Sequence, residues 1–114
     1  MTVIGPEGQI NIKLNGSGAG TAKVGPLTAR EVWHPDNAHV QVSSNVNEAV
    51  CNIYVGESAT QSNFRDATFS GSSGDATSRI GSDVVKSGWY IWAVWTGGDA
   101  NATATLRVTG SKDV

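Results

Sequence analysis

At 114 residues and a net charge of -2, with eight basic side chains against ten acidic, the chain has too little field to gather nucleic acid or anionic lipid. One cysteine excludes an internal disulfide, and no stretch reaches the ~18 consecutive apolar residues of a membrane span. The length predicts a single domain over residues 1–114, whose unfolded surface of roughly 17,000 Å² shrinks to about 5,900 Å² on folding.

The first residues, Met-Thr-Val-Ile-Gly-Pro-Glu, lack a charged segment followed by an apolar one, so the chain is expected to be made in the cytoplasm without a signal peptide. The sequons at Asn15 and Asn101 then read as turn chemistry rather than glycosylation sites. Residues 9 to 14 alternate Ile10, Ile12 and Leu14 with Gln9, Asn11 and Lys13, which predicts a strand with one wet face. A glycine-rich turn follows at 15 to 20. Residues 21 to 24 and 27 to 33 read as one strand broken at Gly25-Pro26 or as two short ones, because proline donates nothing to a ladder; a bend is the favoured reading. His34-Pro35-Asp36-Asn37 is a turn signal. Beyond it Ala38, Val40 and Val42 alternate with His39, Gln41 and Ser43, and Ala49, Cys51, Ile53 and Val55 point inward from a strand at 48 to 55. Their spacing predicts a hairpin reversed at 44 to 47, and places Cys51 in the core.

From 56 to 81 the pattern thins into Ser, Thr, Asn, Asp and Gly, predicting a long loop tied to the body by Phe64 and Phe69, with only 67 to 70 able to pair. A short strand is expected at 83 to 86. Residues 88 to 110 read as two strands joined by Gly97-Gly98-Asp99. The first has Trp89, Ile91, Ala93 and Trp95 on one face and Tyr90, Trp92, Val94 and Thr96 on the other, so it is expected to lie centrally. The second alternates Ala102, Ala104, Leu106 and Val108 with Thr103, Thr105, Arg107 and Thr109. Seven to nine strands with frequent turns define the fold class: all-β, an antiparallel two-sheet β-sandwich, either Ig-like or a small jelly roll.

Chemistry is sparse. His34, His39 and an inward Cys51 have no zinc spacing, and no glycine run ends in the Gly-Lys-Ser/Thr of a phosphate loop. Asp66, Asp75, Asp83 and Asp99 are hard oxygen donors of the kind calcium takes, but 71 to 75 lacks the alternating acids of a calcium loop, so they read as turn aspartates. Ser72 and Ser73 near Asp75 lack both a nucleophile elbow and a placed histidine base. No cofactor, no metal and no catalytic residue is expected.

The tryptophan strand is the one functional feature. Tyr90 and Trp92 together present some 400 Å² of aromatic surface, and three readings compete for it: cover by the chain's own loops, contact with another subunit, or stacking of a sugar ring. Trp33 joins Tyr90 and Trp92 as a candidate interface or ligand platform. Sugar platforms bring acids, amides or arginine beside the rings, whereas Asp99, Asn101 and Arg107 lie in the turn or on the next strand.

The segments Val32-Trp33-His34-Pro35, Ile53-Tyr54-Val55-Gly56, Thr68-Phe69-Ser70-Gly71-Ser72-Ser73-Gly74-Asp75 and Ala93-Val94-Trp95-Thr96-Gly97-Gly98-Asp99 resemble small structural proteins of tailed phages, particularly those of actinobacterial hosts. The resemblance runs from about residue 30 to the end and rests on turn and core motifs, so no site residue carries over. It implies a virion component, either a capsid decoration protein or a minor tail or collar protein. Such a protein is not an enzyme, and its expected partners are major capsid or tail subunits and further copies of itself. The alternative is a carbohydrate-binding module using an aromatic platform.

Overall fold

The computed structural model describes residues 2–44, 46–69, 75–81 and 83–114, with backbone alone for 68–69 and 75–79. Among these residues nine strands follow in order: β1 Thr2–Val3, β2 Gln9–Lys13, β3 Gly20–Val24, β4 Val32–Val42, β5 Val50–Gly56, β6 Phe64–Phe69, β7 Asp75–Arg79, β8 Tyr90–Thr96 and β9 Thr103–Asp113. Among the described residues the helical content is confined to 3-10 turns at Pro6–Gly8 and Gln61–Asn63. The first sheet runs β1-β9-β4-β7, with β2 beside β1 on the same flank of β9, and the second runs β3-β8-β5-β6. Every pairing is antiparallel.

The pairs β5 with β6, β4 with β7, β3 with β8 and β2 with β9 nest inside one another. They describe one long antiparallel ribbon, doubled back between β5 and β6. Rolling it brings β4 against β9 and β5 against β8. That arrangement is a jelly roll, and it decides between the two sandwich forms open at the level of sequence. β8 is central, flanked by β3 and β5, as its two bulky faces predict.

Period-two alternation drives the packing. From the first sheet Ala38, Val40, Val42, Ala104, Leu106 and Val108 point inward, and from the second Ala22, Val24, Cys51, Ile53, Val55, Ile91, Ala93 and Trp95, all buried. Cys51 is fully enclosed, and burial pushes its thiol up to about 12, so it sits as a small apolar filler rather than a nucleophile. The accessible surface of 5886 Å² matches the ~5,900 Å² expected for a folded chain of this mass.

Several local expectations are corrected. His34-Pro35-Asp36-Asn37 is not a turn but lies inside the eleven-residue β4, where the register shifts between Pro35 and Asn37. A bulge tolerates the missing proline N–H. Opposite it stands Gly110 at φ 149, where a Cβ would lie 2.5 Å from the His34 carbonyl oxygen. The two predicted hairpins are instead crossings between sheets: β4 and β5 belong to different sheets, as do β8 and β9. Gly25-Pro26 likewise ends β3 and starts a crossing rather than bending one strand. The loop expected over 56 to 81 contains β6 and β7, the outer strands of the two sheets on one flank. An edge strand has one neighbour and needs little apolar content, which is why its pattern is faint. The short strand expected at 83 to 86 reduces to one bridge, Val85 to Trp33.

Candidate functional site

The outer face of the second sheet carries a row of side chains that no single strand reveals. In the register, Lys23 of β3 lies opposite Trp92 of β8, Trp92 opposite Tyr54 of β5, and Tyr54 opposite Phe64 of β6. Strands spaced about 4.8 Å apart make this row some 14 Å wide. Tyr90 adjoins it along β8. Tyr54, Phe64, Tyr90 and Trp92 are all half-buried, neither sealed nor free.

The rings are locked against one another. Tyr90 and Trp92 meet edge to face at 5.7 Å and 76°, and Tyr54 and Phe64 at 5.8 Å and 73°. Such pairs contribute about 0.5–1.5 kcal/mol each beyond their burial. Lys23 Nζ sits 4.3 Å from the Tyr90 centroid and 5.0 Å from that of Trp92, a contact worth about 0.5–1 kcal/mol at an exposed site. Trp92 Nε1 donates to the Gly56 carbonyl oxygen at 3.1 Å. Lys23 thus covers one face of each ring, and the two rings stand nearly perpendicular, so they do not form a flat stacking platform. Beyond Tyr90 a cleft of about 410 Å³ opens between β2 and the end of β3, with Ile10, Val24, Pro26 and Leu27 among its walls. Leu27 is 74% exposed, and the apolar surface continues around the sheet edge.

Trp33 is not part of this surface. It is fully buried, and its Nε1 donates to Glu31 Oε1 at 3.2 Å. Its place at the start of β4 faces the core because the bulge after Pro35 resets the alternation that continues from Ala38. Glu31 also accepts from Thr28 Oγ1 at 3.2 Å and Lys112 Nζ at 3.4 Å, and Lys112 reaches Glu7 Oε1 at 2.6 Å. The cluster ties the end of β9 to the turns before β2 and β4.

The Trp33 indole, then Lys112, hold the Glu31 carboxyl below the ordinary carboxylate range, and Lys112 does the same for Glu7. The lysine is raised in return, chiefly by Glu7. The carboxylates contribute stability at neutral pH that is lost as pH falls through their lowered values, whereas the lysine's contribution is lost only as pH rises through its raised one. Lys112→Met is therefore expected to lower the urea midpoint at neutral pH and to shrink the difference between neutral pH and about pH 3. Equal pH dependence in both proteins contradicts the assignment.

The remaining sequence candidates are engaged elsewhere or lie apart. Asp99 accepts from Val46 N at 3.0 Å and from Asn47 N at 2.8 Å, while its own N donates to Ser44 Oγ at 3.0 Å, so it ties the 44–47 crossing to the 97–99 crossing. Asp83 is paired with Arg65 Nε at 3.0 Å, Asp66 accepts from Ala67 N, and His34 meets Asp113 at 2.9 Å. Ser72 and Ser73 fall outside the described residues, as does the Asp75 side chain. Tyr54, Phe64 and Lys23 are members of the aromatic row that strand periodicity could not group, because only the register joins them. No protein-family model matches the chain, and no curated protein matches it.

Proposed function

We propose that this chain is a non-enzymatic structural protein of a tailed-phage particle, a capsid decoration or minor tail or collar component, which docks on neighbouring virion subunits through the outer face of its second sheet. The observation that carries the reading is the row Lys23–Trp92–Tyr54–Phe64. It is a half-buried aromatic band in which the Trp92 N–H is already bonded to the Gly56 carbonyl, so a partner can cover the indole without stranding it. Aromatic anchors on a stiff support are what interface hot spots are made of. Two further supports are the motif resemblance and the jelly roll, a fold used by viral capsid proteins, the latter by analogy alone. Self-association follows as part of the proposal, through a closed cyclic arrangement.

Detection of the protein in purified particles, together with the size of the isolated protein in solution, tests this reading. A monomer absent from virions overturns it. Trp92→Ala is expected to weaken association by at least tenfold while costing less unfolding free energy than truncation of Trp95. Equal unfolding penalties with unchanged association remove the docking role of this face.

A further inference from the structure

The outer face of the first sheet is the chemical opposite of the second. Its described outward positions include Gln9, Asn11 and Lys13 on β2, Thr103, Thr105, Arg107 and Thr109 on β9, and Asn37, His39 and Gln41 on β4, with no Phe, Tyr or Trp among them. Register builds two rows: Arg107 stands between Gln9 and His39, and Thr105 between Asn11 and Gln41. The short threonine on the central strand, flanked by longer side chains, leaves a depression of about 280 Å³ lined by Gln9, His39, Val40, Gln41, Thr105 and Arg107.

The polar groups around it are poised rather than spent. The side chains of Gln9, Gln41 and Arg107 make no hydrogen bond or ion pair among the described residues. Thr105 Oγ1 donates to Asn11 Oδ1 at 2.7 Å and keeps its lone pairs to accept. His39 is already held by a contact within the chain and serves as a wall.

We infer that this depression is a binding site for a carboxylate-bearing saccharide, such as a uronic acid residue. The Arg107 guanidinium, a planar fork of donors, matches a carboxylate in two parallel bonds. Amides and a hydroxyl offer donors and acceptors together, which is what sugar hydroxyls use; a phosphate, predominantly an acceptor at neutral pH, leaves most of the amide oxygens unmatched. Without a stacking ring, binding to one site is weak, on the order of millimolar. The site stands independently of whether the opposite face docks on a particle.

An amide-resolved NMR titration of the full chain with sodium glucuronate, glucose and inorganic phosphate in turn tests it. Glucuronate is expected to produce saturable shifts at Gln9, His39, Gln41, Thr105 and Arg107, and glucose to act at the same amides about tenfold more weakly. Arg107→Gln should reduce glucuronate to the level of glucose, and Gln41→Ala should weaken both sugars. Both positions are exposed, and an otherwise unchanged spectrum verifies the fold. Three outcomes overturn the inference: no saturable shift, phosphate acting as strongly as glucuronate, or shifts confined to Tyr90 and Trp92.

Discussion

Trp95→Ala is expected to lower the unfolding free energy by about 3 to 5 kcal/mol, the cost of a large cavity between the sheets. Trp95 is fully buried and stands directly opposite Cys51 and Gly20 in the register, both too small to fill the space. Trp33, equally enclosed, gives a sharper test through phenylalanine. Its indole N–H donates to Glu31, whereas the Trp95 N–H has no acceptor among the described residues. A buried donor without a partner costs about 1–3 kcal/mol, so Trp95→Phe removes a penalty along with volume. Trp33→Phe removes a made bond along with the same volume. Urea unfolding of the two phenylalanine variants should place Trp33→Phe below Trp95→Phe by about 1–2 kcal/mol. The reverse order contradicts the hydrogen-bond assignment.

A single methyl group at Gly18 should do comparable damage. Gly18 has φ 75, and a Cβ there would lie 1.8 Å from the Gly98 carbonyl oxygen. The approach is close because Gly98 N donates to the Gly18 carbonyl at 3.1 Å, docking the β2–β3 turn on the crossing that follows β8. The turn itself is stiff: Asn15 Oδ1 accepts from Ser17 N at 2.9 Å and Ala19 N at 3.1 Å. The backbone has no soft way to retreat. Left-handed strain of about 1–3 kcal/mol adds to a lost hydrogen bond of about 0.5–1.5 kcal/mol, so Gly18→Ala should cost about 2–4 kcal/mol. Gly16→Ala, two residues away with nothing within 4 Å of its Cβ position, should change stability by no more than about 0.5 kcal/mol. Thermal unfolding of the pair separates them; similar midpoints would falsify the packing of the two turns.

Strand periodicity was a good guide to what faces inward. Ile91, Ala93 and Trp95 are sealed while Tyr90, Trp92 and Val94 are half-buried, as alternation along β8 requires. What it did not convey was which strand meets which. In a jelly roll most neighbours in sequence cross to the opposite sheet, though β5 and β6 do not, so Gly97-Gly98-Asp99 carries the same turn residues as a hairpin while joining β8 to β9 across the core. Of β6 only the end was legible, as the segment 67 to 70, and β7, Asp-Ala-Thr-Ser-Arg, looks like a loop because an edge strand needs few apolar residues. The aromatic surface was half legible for the same reason: Tyr90 and Trp92 share a strand, whereas Tyr54, Phe64 and Lys23 join them only through cross-strand register. Trp33 was misplaced because Pro35 reads as a turn residue, and the bulge it occupies is invisible in alternation.

The nesting of the strand pairs also dictates the order of assembly on the ribosome. β5 and β6 can close early, whereas Gln9 must find Arg107 almost a full chain length away, at an added closure cost of about 2 kcal/mol. The eleven residues of β9 emerge after the other eight strands, yet they hold together β1, β2 and β4. Until they arrive, the inward row Ala38, Val40 and Val42 has no neighbour on that side, and the nascent chain presents a raw apolar edge of the kind chaperones recognise. Fragments ending before Thr103 should therefore aggregate rather than fold, and refolding of the full chain should take milliseconds to seconds, paced by that last strand.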